Sequence, residues 1–354
     1  ADAALGGHEV EMRLGAGGIG GSDLHYFGHG RVGAFVLREP LIPGHEASGI
    51  VLRVGSAVTR VKPGDKVAVN PSHACGQCDY CLGGRFNLCR RMFFLGSASV
   101  FPHAQGLFRE RFVLGQAQLT PVHEDISLGE LACAEPLSIG LHAVHRAGVH
   151  TGKTVLITGG GTIGSMCVIA ARLAGAAQVM VCDIAERPLA IAQQVGADRL
   201  IRSDQVDAAS LADIADISIE AAGSPAALAT CLAATRRGGR IVQVGTLPAE
   251  GVQFPANSIM ARELDYVGAF RAAHAFDRGL PAERLHLAAH RVEAGRRASH
   301  ESHRAPTAGQ RERRRATDAP RGAGHDGEQG HDPPRSAVRA SSRSGPGSVK
   351  LPAR

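Results

Sequence analysis

Apolar positions follow two rhythms along this chain, and the change of rhythm divides it. Up to about residue 139, apolar residues come in short runs broken by turn signals. The run at 50–54 (Ile-Val-Leu-Arg-Val) and the run at 66–69 (Lys-Val-Ala-Val) flank a Lys62-Pro63-Gly64-Asp65 turn. That pattern predicts short strands forming a β-rich, partly open barrel with long loops. From 140 to 271 the rhythm alternates. Buried-strand runs at 154–158, 178–182, 216–221 and 240–245 are interleaved with helical apolar spacing at 163–173, 188–195 and an Ala-rich 226–236. Strand–helix alternation of this kind predicts a parallel, doubly wound α/β sheet.

The third region, 272–354, has neither rhythm. From Glu293 onward the only large apolar residues are Val338, Val349 and Leu351, and no aromatic occurs. Such a segment buries too little to offset roughly 1–2 kcal/mol of backbone entropy per residue, so we expect it to be disordered. It holds 15 of the 35 arginines, and the whole chain has four lysines, as a G+C-rich gene would give. Out-of-frame reading of such a gene yields Arg, Ala, Gly, Pro and His. We therefore expect a shifted reading frame shortly after Asp277. No internal repeat is evident.

Composition changes this picture little. The 354 residues are 44% hydrophobic and 20% charged, a globular profile. The most apolar window, 166–182, carries Arg172 and Gln178, so no membrane span is expected. Residues 1–11 lack a basic run followed by an apolar core, which points to a cytoplasmic protein. The chain opens on Ala1, and we expect its beginning to be missing. The net charge of +6 suggests a nucleic-acid partner until it is divided. Residues 272–354 carry 16 Lys+Arg against 9 Asp+Glu, whereas 1–271 carry 23 against 24. The body is near neutral, and the tail lacks the aromatics that stack on bases, so nucleic acid is not an expected partner.

Three motifs carry chemistry. Gly159-Gly160-Gly161-Thr162-Ile163-Gly164 is a G-x-G-x-x-G between a predicted strand and a predicted helix, with Asp183 at the end of the next strand. Gly159 permits the turn, Gly161 lets backbone approach a pyrophosphate, and Gly164 lets helix and strand pack closely. The helix N-terminus at Thr162 and Ile163 offers N–H donors to phosphate. Asp183 would bond the ribose and repel a 2′-phosphate, favouring NAD over NADP. Arg187 either reaches the same ribose or is a solvated helix-start residue. The second motif is Cys75-x2-Cys78-x2-Cys81-x7-Cys89. Four thiols at this spacing favour a closed, structural zinc site over two local disulfides. The third is Gly44-His45-Glu46, which gains weight from Ser22-Asp23-Leu24-His25-Tyr26 and from Glu135-Pro136-Leu137.

Taken together, these motifs resemble the zinc-containing medium-chain dehydrogenase/reductase family over about residues 10–271. The resemblance implies an α/β fold: a GroES-like β-rich catalytic domain over 1–139, incomplete at both ends, plus a Rossmann doubly wound parallel sheet over 140–271. Within the family, residues 93–112 and 20–33 most resemble the L-idonate 5-dehydrogenase group, with sorbitol and xylitol dehydrogenases next. By this resemblance His45, Glu46 and Glu135 would hold a catalytic zinc, with Asp23 orienting His45. Ser22 and His25 would relay the substrate proton. Tyr26 and Arg271 would face the substrate, with Phe270-Arg271 on the nicotinamide side. Val244 and Gly245 would complete the cofactor site. The implied partner is a small polyol or aldonate, and the family forms dimers and tetramers. One departure stands out: the family's cysteine ligand position falls on Gly20.

Overall fold

The computed structural model describes residues 4–122, 125–273 and 276. The expectations for 272–354 fall outside the described residues except at 272, 273 and 276.

The first half opens with β1 (Glu9–Gly18), α1 (Gly21–His29), the short strands β2 (Arg31–Val32) and β3 (Phe35–Val36), then β4 (Glu46–Val54) and β5 (Lys66–Val69). β6 (Ser72–His73), α2 (Asp79–Leu82) and β7 (Phe93–Phe94) frame the cysteine lobe. β8 (Arg111–Gly115), β9 (Leu119–Val122) and α3 (Leu128–Ala132) complete this half. A five-stranded antiparallel sheet runs β8-β1-β4-β5-β9. Its inward residues, among them Val10, Met12, Val51, Val67, Leu114 and Leu119, form one apolar cluster with Leu107. Burying each such side chain is worth about 1.5–3 kcal/mol. The register matters for chemistry, because it pairs Gly18 at the end of β1 with Glu46 at the start of β4. That brings the Gly20 segment beside Glu46.

The second half begins with α4 (Ala134–Ala147), which carries Glu135 in its first turn. Then come β10 (Thr154–Thr158), α5 (Thr162–Leu173), β11 (Gln178–Asp183), α6 (Glu186–Gln194) and β12 (Arg199–Arg202). β13 (Ala215–Glu220), α7 (Pro225–Ala234), β14 (Thr235–Gln243), α8 (Ala256–Ala261) and β15 (Asp265–Gly268) follow. The six strands are parallel in the order β12-β11-β10-β13-β14-β15, the doubly wound arrangement expected. α4 lies so close to α5 that a Cβ at Gly140 would stand 2.7 Å from the Met166 backbone.

Among the boundaries that differ from the sequence expectation, two have a plain cause. The Ala-rich helix stops at Ala234, not at 236, because Thr235 is extended and starts β14. The strand expected to reach 245 ends at Gln243, since the N–H groups of Val244 and Gly245 both turn to the Glu220 carbonyl. Among the described residues, no helix is long and apolar enough to cross a membrane.

Candidate active site

The cysteine lobe forms first, from local sequence alone. Sγ of Cys78 is 3.5 Å from that of Cys81 and 4.0 Å from that of Cys89, and Cys75 Sγ is 4.0 Å from Cys81 Sγ. A tetrahedron with about 2.3 Å zinc–sulfur bonds has edges of about 3.8 Å, so these thiols are spaced to fit one ion. The backbone N–H of Gln77 pulls the Cys75 thiol down to about 6, while burial pushes Cys81 up to about 12.

His45, Glu46 and Glu135 also converge. Their ligand atoms lie within 4.8 Å of one another, and all three residues are buried. The loop before β4 delivers His45, the first residue of β4 is Glu46, and the first turn of α4 delivers Glu135. Among the described residues, neither glutamate carboxylate has a hydrogen-bond donor. Two buried carboxylates without donors are costly unless a cation joins them, so the set fits a divalent metal. Burial and the neighbouring carboxylates raise Glu135 to about 7, against the pull of His45. Burial would lower His45, yet the Asp23 contact and the charges of Glu135, Asp23 and Glu46 lift it to about 9.

α1 supplies the surrounding groups. Asp23 Oδ1 is 3.6 Å from His45 Nδ1, and Ser22 Oγ is 3.4 Å from His45 Nε2. Tyr26 is buried, with its hydroxyl accepting from the Ala98 N–H at 3.0 Å. Ser22, His25 and Tyr26 all line a cleft of about 380 Å³ that also contains His45, Glu46 and Glu135. Ser22 and His25 make no direct hydrogen bond to each other among the described residues. They sit three residues apart on one face of α1.

The opposite wall of that cleft is the dinucleotide half. Thr162, Ile163, Val244, Gly245 and Arg271 line it together with His45, Glu46 and Glu135. Gly160, Gly161, Thr162 and Arg187 line an adjoining pocket that also touches Glu46. Gly159 takes a left-handed φ of 89°, and a Cβ at Gly164 would strike the Gly159 carbonyl. Asp183 Oδ2 accepts from Gly160 N–H at 2.7 Å and Oδ1 from Ala185 N–H at 2.9 Å, fixing the carboxylate beside the glycine turn. Arg271 adopts a φ of 55°, a strained region for a non-glycine residue. Its guanidinium lies 4.8 Å over Phe94 and 4.7 Å over Phe270. Burial lowers it to about 10, and it has no carboxylate partner among the described residues.

Two participants escaped the sequence reading. Phe94 stacks near both His45, at 5.7 Å between ring centroids, and Arg271. Glu220 clasps the loop after β13 by accepting from the N–H groups of Ala222 (3.0 Å) and Gly223 (2.7 Å) and from the Gln243 side chain. A buried-strand run that ends on a glutamate was the available signal for it.

Comparison with known proteins agrees with this architecture. The alcohol dehydrogenase GroES-like domain family matches residues 6–124, and the zinc-binding dehydrogenase family matches residues 162–282. The second match runs a few residues past the region where the sequence resemblance was expected to stop. A sorbitol dehydrogenase of Bacillus subtilis is 38% identical over 77% of this chain and 78% of its own length. An L-idonate 5-dehydrogenase (NAD(P)(+)) of Escherichia coli is 37% identical over 75% and 78% respectively. The crystal structure of L-idonate 5-dehydrogenase from Escherichia coli superposes with a TM-score of 0.74 at 34% identity, covering 81% of this chain and 82% of that one. A zinc-binding dehydrogenase from Sinorhizobium meliloti bound to NADP gives 0.71 at 29% identity, over 83% of each chain. A metal cluster and a glycine-turn dinucleotide site facing one cleft, in a chain with these relatives, lead to one assignment: this chain belongs to the zinc-dependent medium-chain dehydrogenases.

Proposed function

We propose that this chain oxidises a secondary hydroxyl of a sugar acid, with L-idonate going to 5-ketogluconate, using NAD. What carries the reading is that His45, Glu46 and Glu135 share a cleft with the nicotinamide-side residues Ile163, Val244 and Gly245 and with Arg271, which has no carboxylate partner among the described residues. When bound, the metal polarises the substrate hydroxyl and the nicotinamide ring accepts a hydride. The protein's own groups do the rest. Asp23 holds His45 in place from behind. Ser22 takes the hydroxyl proton and passes it toward His25, which is exposed to solvent. Phe94 and Phe270 flank the guanidinium of Arg271, which leaves its charge partly desolvated where a substrate carboxylate would meet it. Asp183, held beside the glycine turn, favours NAD over its 2′-phosphorylated form.

A neutral polyol such as sorbitol or xylitol is the alternative substrate within this reading, because relatives are named for sorbitol and for D-xylulose. A second reading, a chain that binds metal and dinucleotide without turnover, is favoured by Gly20, which offers no ligand atom. The test is NAD reduction with L-idonate, sorbitol and xylitol side by side. Turnover preferring L-idonate supports the proposal, and preference for sorbitol moves the substrate to the polyols. No turnover by the natural chain, with turnover after Gly20→Cys, establishes the second reading.

A further inference from the structure

The metal centre has a feature that follows from two glycines. A Cβ at Gly18 would collide with Glu46 Oε2, and one at Gly20 would stand 2.9 Å from Glu46 Oε1, 2.9 Å from His45 Cε1 and 3.0 Å from His45 Nε2. Real Cβ atoms essentially never approach under 3.0 Å, so a side chain at either position would require the Glu46 carboxylate, the end of a flexible side chain, to move aside. The Glu46 carboxylate therefore lies across the space in which side chains at 18 and 20 would begin. The Gly20 Cα–Cβ direction points at the ligand atoms themselves, so the carboxylate occupies the path a ligand at position 20 would take.

We propose that the His45–Glu46–Glu135 centre is a thiolate-free nitrogen- and oxygen-donor site, in which Glu46 fills the place of a ligand at position 20, and that it accepts Mn2+ and Co2+ as well as Zn2+. This rests on the reading that the three residues hold a metal. The donors are one imidazole and two carboxylates. Thiolate selects soft and borderline ions, whereas carboxylate and water suit Mn2+ and its harder neighbours. Three protein donors leave several positions to water or substrate, which suits an ion that prefers more than four ligands. The two unbonded carboxylates supply the charge that a divalent ion balances. The cysteine lobe shares none of these ligands, so its zinc stays in place while this centre exchanges.

The experiment begins with full-length protein dialysed against a mild chelator until one zinc per chain remains. Co2+ is then added and its visible spectrum recorded, and Mn2+ binding is followed by electron paramagnetic resonance with Zn2+ competition. The expected Co2+ spectrum has weak ligand-field bands with no sulfur-to-cobalt charge transfer, and one Mn2+ binds per chain. Glu135→Gln should remove that Mn2+. In Gly20→Cys a charge-transfer band should appear, and the preference for Zn2+ over Mn2+ should grow by about tenfold or more. A charge-transfer band in the natural chain overturns the proposal, as does a second zinc with no competent Mn2+ or Co2+ binding. Those readings need no variant, so a Gly20→Cys protein that fails to fold leaves them decisive. Metal binding without turnover upholds this inference while defeating the proposed activity; turnover with Zn2+ alone does the reverse.

Discussion

Asp23 reaches His45 from the first turn of α1, with Oδ1 at 3.6 Å from His45 Nδ1, while its two oxygens accept from the N–H groups of Gly44 and Gly20, each at 2.9 Å. One side chain thus closes the N-terminus of a helix, anchors the loop before β4 and orients a metal ligand. Burial opposes its charge, but the His45 contact and the two backbone donors outweigh it and hold its pKa below the ordinary value. Asp23→Asn keeps the shape and removes the charge. It should weaken the metal at His45 by about 10–100-fold while the cysteine lobe keeps its zinc. Metal titration checks this, and an unchanged affinity would show that Asp23 serves only the helix.

The share of the metal-free protein's stability that His45 and Glu135 carry should fall as pH rises. Both His45 and Glu135 hold protons more tightly folded than unfolded. Glu135 contributes its loss between 4.5 and about 7, and His45 between 6.5 and about 9. A bound divalent ion replaces those protons, so the loaded protein should lack the slope and metal affinity should climb with pH. Urea unfolding of chelated and loaded protein across this range is the check. Equal slopes would mean that the metal does not sit on these residues.

The glycine turn offers a paired test. At Gly164 a methyl would meet the Gly159 carbonyl, so Gly164→Ala should cost about 3 kcal/mol or more of stability. At Gly161 φ is −63° and nothing lies within 4 Å of the added methyl, so Gly161→Ala should fold normally. Because Gly161 faces the pocket where a pyrophosphate would lie, its variant should nevertheless lose NAD affinity. Thermal unfolding and NAD titration separate the two effects, and normal NAD binding by Gly161→Ala would remove the dinucleotide from this turn.

Arg271 tests substrate class. If it meets a carboxylate, Arg271→Leu loses a charge-assisted interaction worth about 1.5–3 kcal/mol. The KM for L-idonate should then rise by about 10–100-fold while that for sorbitol changes little. Equal losses for both would place Arg271 in a packing role between Phe94 and Phe270.

Much of this was legible in the chain, for reasons that differ by element. The Rossmann half was readable because its strands are buried on both faces and its turn needs glycine at fixed places, as Gly159 and Gly164 show. The cysteine lobe was readable because its ligands are local. α1 was not, since its ends are glycines and its length is nine residues; only Asp23, three residues after Gly20, betrays the cap. The end of α7 was misjudged because Ala233-Ala234 favours helix, while the pairing of Thr235 with Ala215 draws the chain into β14. Phe94 and Arg271 meet across a long sequence separation, and no local pattern announces such a contact.

The most direct test of the account follows the hydride. L-idonate carrying deuterium at C5 should be mixed with NAD and metal-loaded protein, and the reduced cofactor analysed by mass spectrometry. The account predicts one deuterium delivered to the nicotinamide ring and 5-ketogluconate in equal amount. Folded protein that holds both metals and NAD yet transfers no deuterium from any of the three substrates would contradict it.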